Sequence, residues 1–273
     1  MLKQRFLTAL AIGPLSLVLL FTLTGLPFAM FVGFVILLGA WEWGNLSGIE
    51  SPGGRFVYTL VIFAGMIAAC LTGVAHQIWP MWVALATWIV CCGWVLSYPS
   101  TVKMWHARST RLVLGGLIML PSWMGLQQLR EVASAPLGFA WWLLYVLFII
   151  WGADICAYFS GKAFGKRKLA PRVSPGKSWA GVYGALAGTA VLSFIMDAIQ
   201  EYDFQQAMVL LGVTWLVTLT SVVGDLFESM LKRHRGLKDS SQLLPGHGGM
   251  LDRIDSLLAA IPVFALFLPF LIR

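Results

Sequence analysis

The chain has 273 residues, 59% of them hydrophobic and 11% charged, with a mean hydropathy of +0.81. An average soluble domain carries about 25% charged residues, so this composition excludes a disordered chain, a disulfide scaffold and most soluble globular folds. The net charge of +7 comes from 19 Lys+Arg against 12 Asp+Glu; these charges lie between apolar runs, so anionic lipid headgroups or phosphate-bearing substrates suit them better than nucleic acid, which is not expected as a partner.

A membrane helix needs about 20 mostly apolar residues. Phe6 to Leu46 is long enough for two, with Thr24-Gly25-Leu26-Pro27 as the turn. The run follows Lys3 and Arg5 as a signal peptide would, but it continues without a charge to Glu42, so retained helices are expected. Further spans fall near 56–75, 78–97, 112–129, 136–160, 178–199, 207–225 and 255–272. The expected fold class is therefore all-α: a polytopic integral membrane protein of about nine transmembrane helices. With the N-terminus in the cytoplasm, every basic residue except Arg130 and Arg273 falls on the cytoplasmic side, as the positive-inside rule requires. Cys70, Cys91, Cys92 and Cys156 lie in or beside apolar runs without metal-ligand spacing. No internal repeat is visible. One membrane domain over 1–273 is expected, with 1–150 mainly scaffold and the chemistry in 151–273.

The first chemically rich stretch is Trp151 to Gly181. Asp154, Tyr158 and Gly161 share a helix face, and Asp154 lies about two turns inside a span. An intramembrane carboxylate marks a functional site or a structural ion pair. Lys162, Lys166, Arg167, Lys168 and Arg172 form a basic loop, which attraction to anionic lipid explains well enough. Ser174-Pro175-Gly176-Lys177-Ser178 is more specific: a short turn bringing a lysine and two hydroxyls to the start of the next span, a ready anion site. It is not a P-loop, because Pro171 stands where the first glycine belongs and no strand is expected before it.

The second stretch runs from Ser221 to Asp255. Asp225, Glu228, Ser229 and Lys232 fall at i, i+3, i+4 and i+7, on one helix face. A solvated helix end with internal ion pairs would have the same spacing. Pro245-Gly246-His247-Gly248-Gly249 permits a turn that aims backbone N–H groups at a phosphate. Asp252, Arg253 and Asp255 follow at the head of the last span. Carboxylates that serve phosphate oxygens usually do so through Mg²⁺. The residues thus describe a membrane enzyme acting on phosphorylated substrates at the cytoplasmic face.

Ser229-x-x-Lys232-Arg233, Lys238-Asp239-Ser240, Pro245-Gly246-His247-Gly248-Gly249 and Asp252-Arg253-Ile254-Asp255 together resemble the signature of the phosphatidate cytidylyltransferase (CDP-diacylglycerol synthase) family. Gly224-Asp225-Leu226, Ala157-Tyr158, Phe164-Gly165-Lys166, the 174–178 block and Trp41-Glu42-Trp43 resemble its bacterial members. Ala180 departs from the Glu or Gln that many members carry there.

The resemblance implies that CTP and phosphatidic acid give CDP-diacylglycerol and pyrophosphate, with Mg²⁺ required, K⁺ as a second metal, and a homodimer. It implies a place in the inner membrane of a bacterium, with the site facing the cytoplasm. Following the motif positions, Asp225 and Asp252 are expected to bind metal, with Glu228 and Asp255 as further members of that shell. Lys177, Lys232 and Arg253 would hold phosphates, and Ser174, Ser178, Ser229, Lys238 and His247 would add contacts. Gly248 and Gly249 would admit CTP, and Asp154 would orient a basic group or a metal-bound water. Two other readings compete. One is a CTP-dependent polyprenol kinase; the other is a transporter with Asp154 and Asp225 lining an ion path, though transporters often show repeats.

Overall fold

The computed structural model describes residues 13–132 and 138–272. The expectations that fall on Lys3, Arg5, the start of the first span and Arg273 lie outside these residues. In chain order the elements are α1 (Gly13–Thr22), α2 (Gly25–Leu46), α3 (Pro52–Leu71), α4 (Trp79–Leu96), the single turn α5 (Val102–Trp105), α6 (Arg108–Val132) and α7 (Gly138–Phe164). Then come β1 (Lys168–Ala170), β2 (Ser174–Ser178), α8 (Trp179–Gln200), α9 (Phe204–His234) and α10 (Leu251–Phe267). Among the described residues eight helices, all but α1 and α5, are long and apolar enough to cross a membrane. The protein is an all-α, multi-pass membrane protein; α1, in the first predicted span, is a shorter apolar helix, and the beginning predicted for that span lies outside the described residues.

Local chemistry sets the helix starts. Ser51 accepts Gly54 N at 3.2 Å with Pro52 in the first turn of α3. Asp203 and Gln206 form a reciprocal capping box at the head of α9. Two boundaries differ from the sequence reading. The span predicted to end near 225 continues unbroken to His234, because no Gly or Pro follows in 226–234 and Leu226, Phe227, Met230 and Leu231 are buried. The last helix begins at Leu251, four residues earlier than predicted, so Asp252 and Asp255 lie within it. A helix of 31 residues is about 46 Å long at 1.5 Å per residue, against about 30 Å of hydrocarbon. The charged end of α9 therefore reaches the headgroup level.

Two short strands also stand where a turn was predicted. β1 and β2 pair antiparallel, Lys168 opposite Ser178 and Ala170 opposite Ser174. A strand thus does precede Pro171. The glycine a P-loop requires at that position is still missing.

α10 is the central element: every residue from Leu258 to Leu266 is buried. Trp43 of α2 and Trp88 of α4 meet Phe227 of α9 at 6.3 and 6.1 Å between ring centroids. α7 and α8 approach along Cys156, Ser160, Gly184 and Gly188, the small-residue contact by which membrane helices pack. α3 buries one face, through Tyr58, Ile62, Met66 and Ala69, and turns Phe56, Val61 and Ile67 outward.

The connections segregate by end. At one end Arg111 Nη1 donates to Leu46 O at 3.0 Å, Arg235 lies 3.7 Å from Glu50, and Lys177 pairs with Asp225. At the other, Gln128 Nε2 donates to Ala75 O and Gln77 O, both at 2.9 Å, and His76 meets Glu131 at 2.8 Å. This is the alternation of sides that the loop charges require.

Candidate active site

The site forms where α9 and α10 touch. A Cβ at Gly224 would stand 2.6 Å from Asp255 O and 3.0 Å from Ala259 Cβ, so only glycine lets the two backbones meet there. That contact brings the carboxylates of the two helices together. Asp225, Glu228, Ser229 and Lys232 occupy one face of α9, as their spacing predicts. Ser229 Oγ donates to Asp225 Oδ1 at 3.3 Å. Lys232 Nζ donates to Glu228 Oε2 at 2.8 Å and to Asp252 Oδ1 at 2.5 Å. From β2, Lys177 Nζ reaches Asp225 Oδ2 at 2.7 Å. Asp154, exposed on α7, lies within electrostatic range of both Lys177 and Asp225. Lys177 of β2 and Lys232 of α9 thus stand among five carboxylates from three helices: Asp154, Asp225, Glu228, Asp252 and Asp255.

Glu228 is only 2% exposed, and its Oε1 is buried without a hydrogen-bond donor. Asp255 faces both Glu228 and Asp225. Carboxylates in such proximity need a proton or a cation between them.

A second set of contacts builds the loop before α10. Asp252 Oδ2 accepts Ser240 N at 2.9 Å, Ser240 Oγ at 2.8 Å and Gly249 N at 2.8 Å. With Lys232 on its other oxygen, this carboxylate is fully engaged. Beside it lies Glu42 of α2, 2% exposed, which sequence reasoning left out of the site. Glu42 accepts Ser240 Oγ at 3.1 Å, Ser241 Oγ at 2.5 Å, Met250 N at 3.0 Å and Leu251 N at 2.7 Å. It serves the first backbone N–H groups of α10 from a helix some two hundred residues away in sequence (|i−j| = 209 for Leu251). The signal was present: Glu42 is the first acidic residue of the chain and sits within an apolar span.

Gly248 and Gly249, expected to admit CTP, admit two carboxylates of the chain itself. Gly248 has φ +85°, and a Cβ there would stand 2.7 Å from Asp252 Oδ2. A Cβ at Gly249 would collide with Ser240 Oγ and stand 2.5 Å from Glu42 Oε2.

The remaining expected residues are spread around this centre. Ser178 is buried and caps α8, accepting Gly181 N at 3.2 Å, so its hydroxyl has a structural partner. Ser174 opens β2 and is half-buried, and Lys238 is exposed on the connecting loop. Arg253 is exposed and donates Nε and Nη2 to His247 O at 3.2 and 2.6 Å. His247 Nδ1 is buried without a partner.

His247 and Arg253 stand at the polar end of a cavity of about 580 Å³. Its other walls are almost wholly apolar, from Leu17 and Leu20 of α1, Val32 and Ile36 of α2, Leu147 of α7 and Leu258 of α10, among others. An apolar recess ending in an arginine suits an acyl chain attached to an anionic head.

The donor chemistry fits Mg²⁺, which takes one or two carboxylates and fills its other positions with water and substrate phosphate. Among the described residues no three His, Cys, Asp or Glu side chains converge into a ready-made cage. Among these residues Glu228 Oε1 has no donor, Asp255 accepts Ser256 N on Oδ1 alone, and Asp225, which meets Ser229 and Lys177, would hold the ion through its remaining lone pairs. Asp252, saturated by its four donors, fits the ion less well.

Comparison with known proteins agrees with this chemistry. Residues 3–271 match the cytidylyltransferase family. A phosphatidate cytidylyltransferase of Pseudomonas aeruginosa is 49% identical over 269 residues, covering 98% of this chain and 97% of the relative. One of Haemophilus influenzae is 40% identical over 283 residues, 98% of each chain. One of Brucella suis is 31% identical over 268 residues, 97% of this chain and 93% of the relative.

Proposed function

The chain belongs to the cytidylyltransferase family; its reaction is that of a phosphatidate cytidylyltransferase, and we propose that the Lys177–Asp225 and Glu228–Lys232–Asp252 ion pairs mark where it occurs. CTP and phosphatidic acid give CDP-diacylglycerol and pyrophosphate. A phosphate oxygen of the lipid forms a bond to the α-phosphorus of CTP, and the bond from that phosphorus to the oxygen bridging to the β-phosphate breaks. Phosphatidate is already an anion, so the obstacle is repulsion between two polyanions rather than a missing base. Catalysis is then positioning and charge neutralisation.

The observation that carries the reading is that Lys232 is held between Glu228 and Asp252, and Lys177 is paired with Asp225, at one end of the bundle. Lys177 is delivered by a strand and Lys232 by a rigid helix. Both lysines approach phosphate oxygens, and Arg253 meets the lipid phosphate, with an acyl chain in the cavity behind it. His247 Nδ1 gains a hydrogen-bond partner in the bound state, Ser174, Ser229 and Lys238 line the approach, and Asp154 orients Lys177. When bound, Mg²⁺ would be held by Asp225 with Asp255 or Glu228 and would neutralise phosphate charge. K⁺ as a second ion and a homodimer rest on the family resemblance alone. The site faces the cytoplasm across a bacterial inner membrane in this reading, since the basic connections share its end of the bundle and CTP is cytosolic.

The test supplies purified protein with phosphatidic acid, Mg²⁺ and CTP labelled in turn at the α and γ phosphates. Lipid labelled from the α position, with pyrophosphate released, is the expected result. Lipid labelled from the γ position would make the protein a kinase and remove this reading.

A further inference from the structure

Apart from the lysine–carboxylate cluster, the same end of the bundle gathers three guanidinium groups with little to neutralise them. Arg108 and Arg111 stand on the first turn of α6, and Arg235 follows the last residue of α9. Arg111 Nη2 and Arg108 Nε come within 3.5 and 3.9 Å of the position a Cβ would take at Gly48. The charges of Arg108 and Arg235 both act on Arg111. Arg111 is 7% exposed and donates Nη1 to Leu46 O at 3.0 Å. Its Nε is buried without a partner, and so is Nε of Arg235. Among the described residues the one carboxylate paired with this group is Glu50, 3.7 Å from Arg235 Nη2, with a side chain 83% exposed. His234, edge-on to Trp105 at 4.9 Å, brings a titratable ring within electrostatic range of Arg111 and Arg235.

Helix ends account for part of this. Leu46 O belongs to the C-terminus of α2, and Arg235 sits at the C-terminus of α9, where cations are favoured. They do not account for two buried N–H groups without an acceptor, or for like charges brought together. A buried donor left unpaired is costly, and more so on a charged group. A ligand with several anionic oxygens removes both costs, and guanidinium forks match phosphate geometry.

We propose that Arg108, Arg111 and Arg235 form a second anion site, distinct from the reaction centre, that binds a phosphate group. Its source is either the headgroup of an anionic lipid or free inorganic phosphate. No residue of this set hydrogen-bonds or pairs with Asp225, Glu228, Asp252 or Asp255 among the described residues, so its occupancy does not require turnover. Its place at the helix ends is the level at which lipid phosphates lie.

The full-length protein in detergent is titrated, in separate arms, with inorganic phosphate and with short-chain phosphatidylglycerol, following the thermal unfolding midpoint. Phosphatidylglycerol raising the midpoint with inorganic phosphate silent assigns a lipid headgroup; a rise with inorganic phosphate assigns a free anion. Arg108→Gln and Arg235→Gln, singly and together, are expected to weaken the effective ligand by about tenfold per guanidinium removed. Lys177→Ala is expected to leave the rise in place. Arg108 is exposed and makes no hydrogen bond or ion pair among the described residues, so its single variant keeps the test readable if the double variant does not fold. No rise with either probe, or an equal rise in wild type and in Arg108→Gln, would overturn the proposal.

Discussion

Lys177 and Lys168 are nine residues apart in one basic stretch, yet the structure gives them different surroundings. Lys177 is half-buried against Asp225, whereas Lys168 is exposed on β1. Lys177→Ala is expected to lower turnover by about a hundredfold, the scale of losing one charge-stabilising donor in a reaction centre. Lys168→Ala is expected to stay within about twofold, as befits an exposed charge. Steady-state rates of the two variants in the same detergent check this, and equal losses would mean the loop acts as a whole. Glu42 gives a second prediction. Glu42→Gln keeps the shape but turns one acceptor into an NH₂ facing hydroxyl or backbone donors. Stability is expected to fall by about 1.5–3 kcal/mol, read as a lower unfolding midpoint, with kcat reduced more than KM for CTP because the 240–251 loop loosens. An unchanged midpoint would show that the loop stands without it.

At the scale of elements, the extended α9 and the early start of α10 decide the geometry. The sequence made their chemistry legible: Asp225, Glu228, Ser229 and Lys232 share a face as their spacing requires. It did not make their rigidity legible, because a charged stretch after an apolar run looks like a loop until Leu226, Phe227, Met230 and Leu231 are seen packed. Nor could it show that Ser178 is a helix cap. Ser178→Ala is expected to cost about 1 kcal/mol of stability, the usual loss for such a cap, while leaving KM for CTP near normal. A large KM change with an unchanged unfolding midpoint would return Ser178 to the substrate. The loop before α10 depends on close approach at Gly249. Gly249→Ala would place a methyl group against Ser240 Oγ and Glu42 Oε2, and is expected to abolish turnover and lower the midpoint together.

At the scale of the whole molecule, hydropathy and loop charge were enough to place the spans, because a bilayer admits few other ways to satisfy so apolar a backbone. Contacts such as Arg111 to Leu46 O and Gln128 to Ala75 O put the predicted loops at opposite ends. Long-range partners were not legible. Glu42 meets residues almost the length of the chain away, and periodicity within one helix carries no information about which loop another helix will hold. The cavity that ends at His247 and Arg253 is likewise a product of several helices and of no single segment.

In the function proposed here, cytidylyl transfer takes place at the carboxylate–lysine cluster between α9, α10 and β2. The most direct test measures label passing from α-labelled CTP into lipid for Asp225→Asn, in protein shown to be folded and inserted. A loss of at least about a hundredfold with an intact unfolding transition is expected, since the substitution removes a charge and little else. Transfer near the wild-type rate would contradict the account and move the reaction away from this cluster.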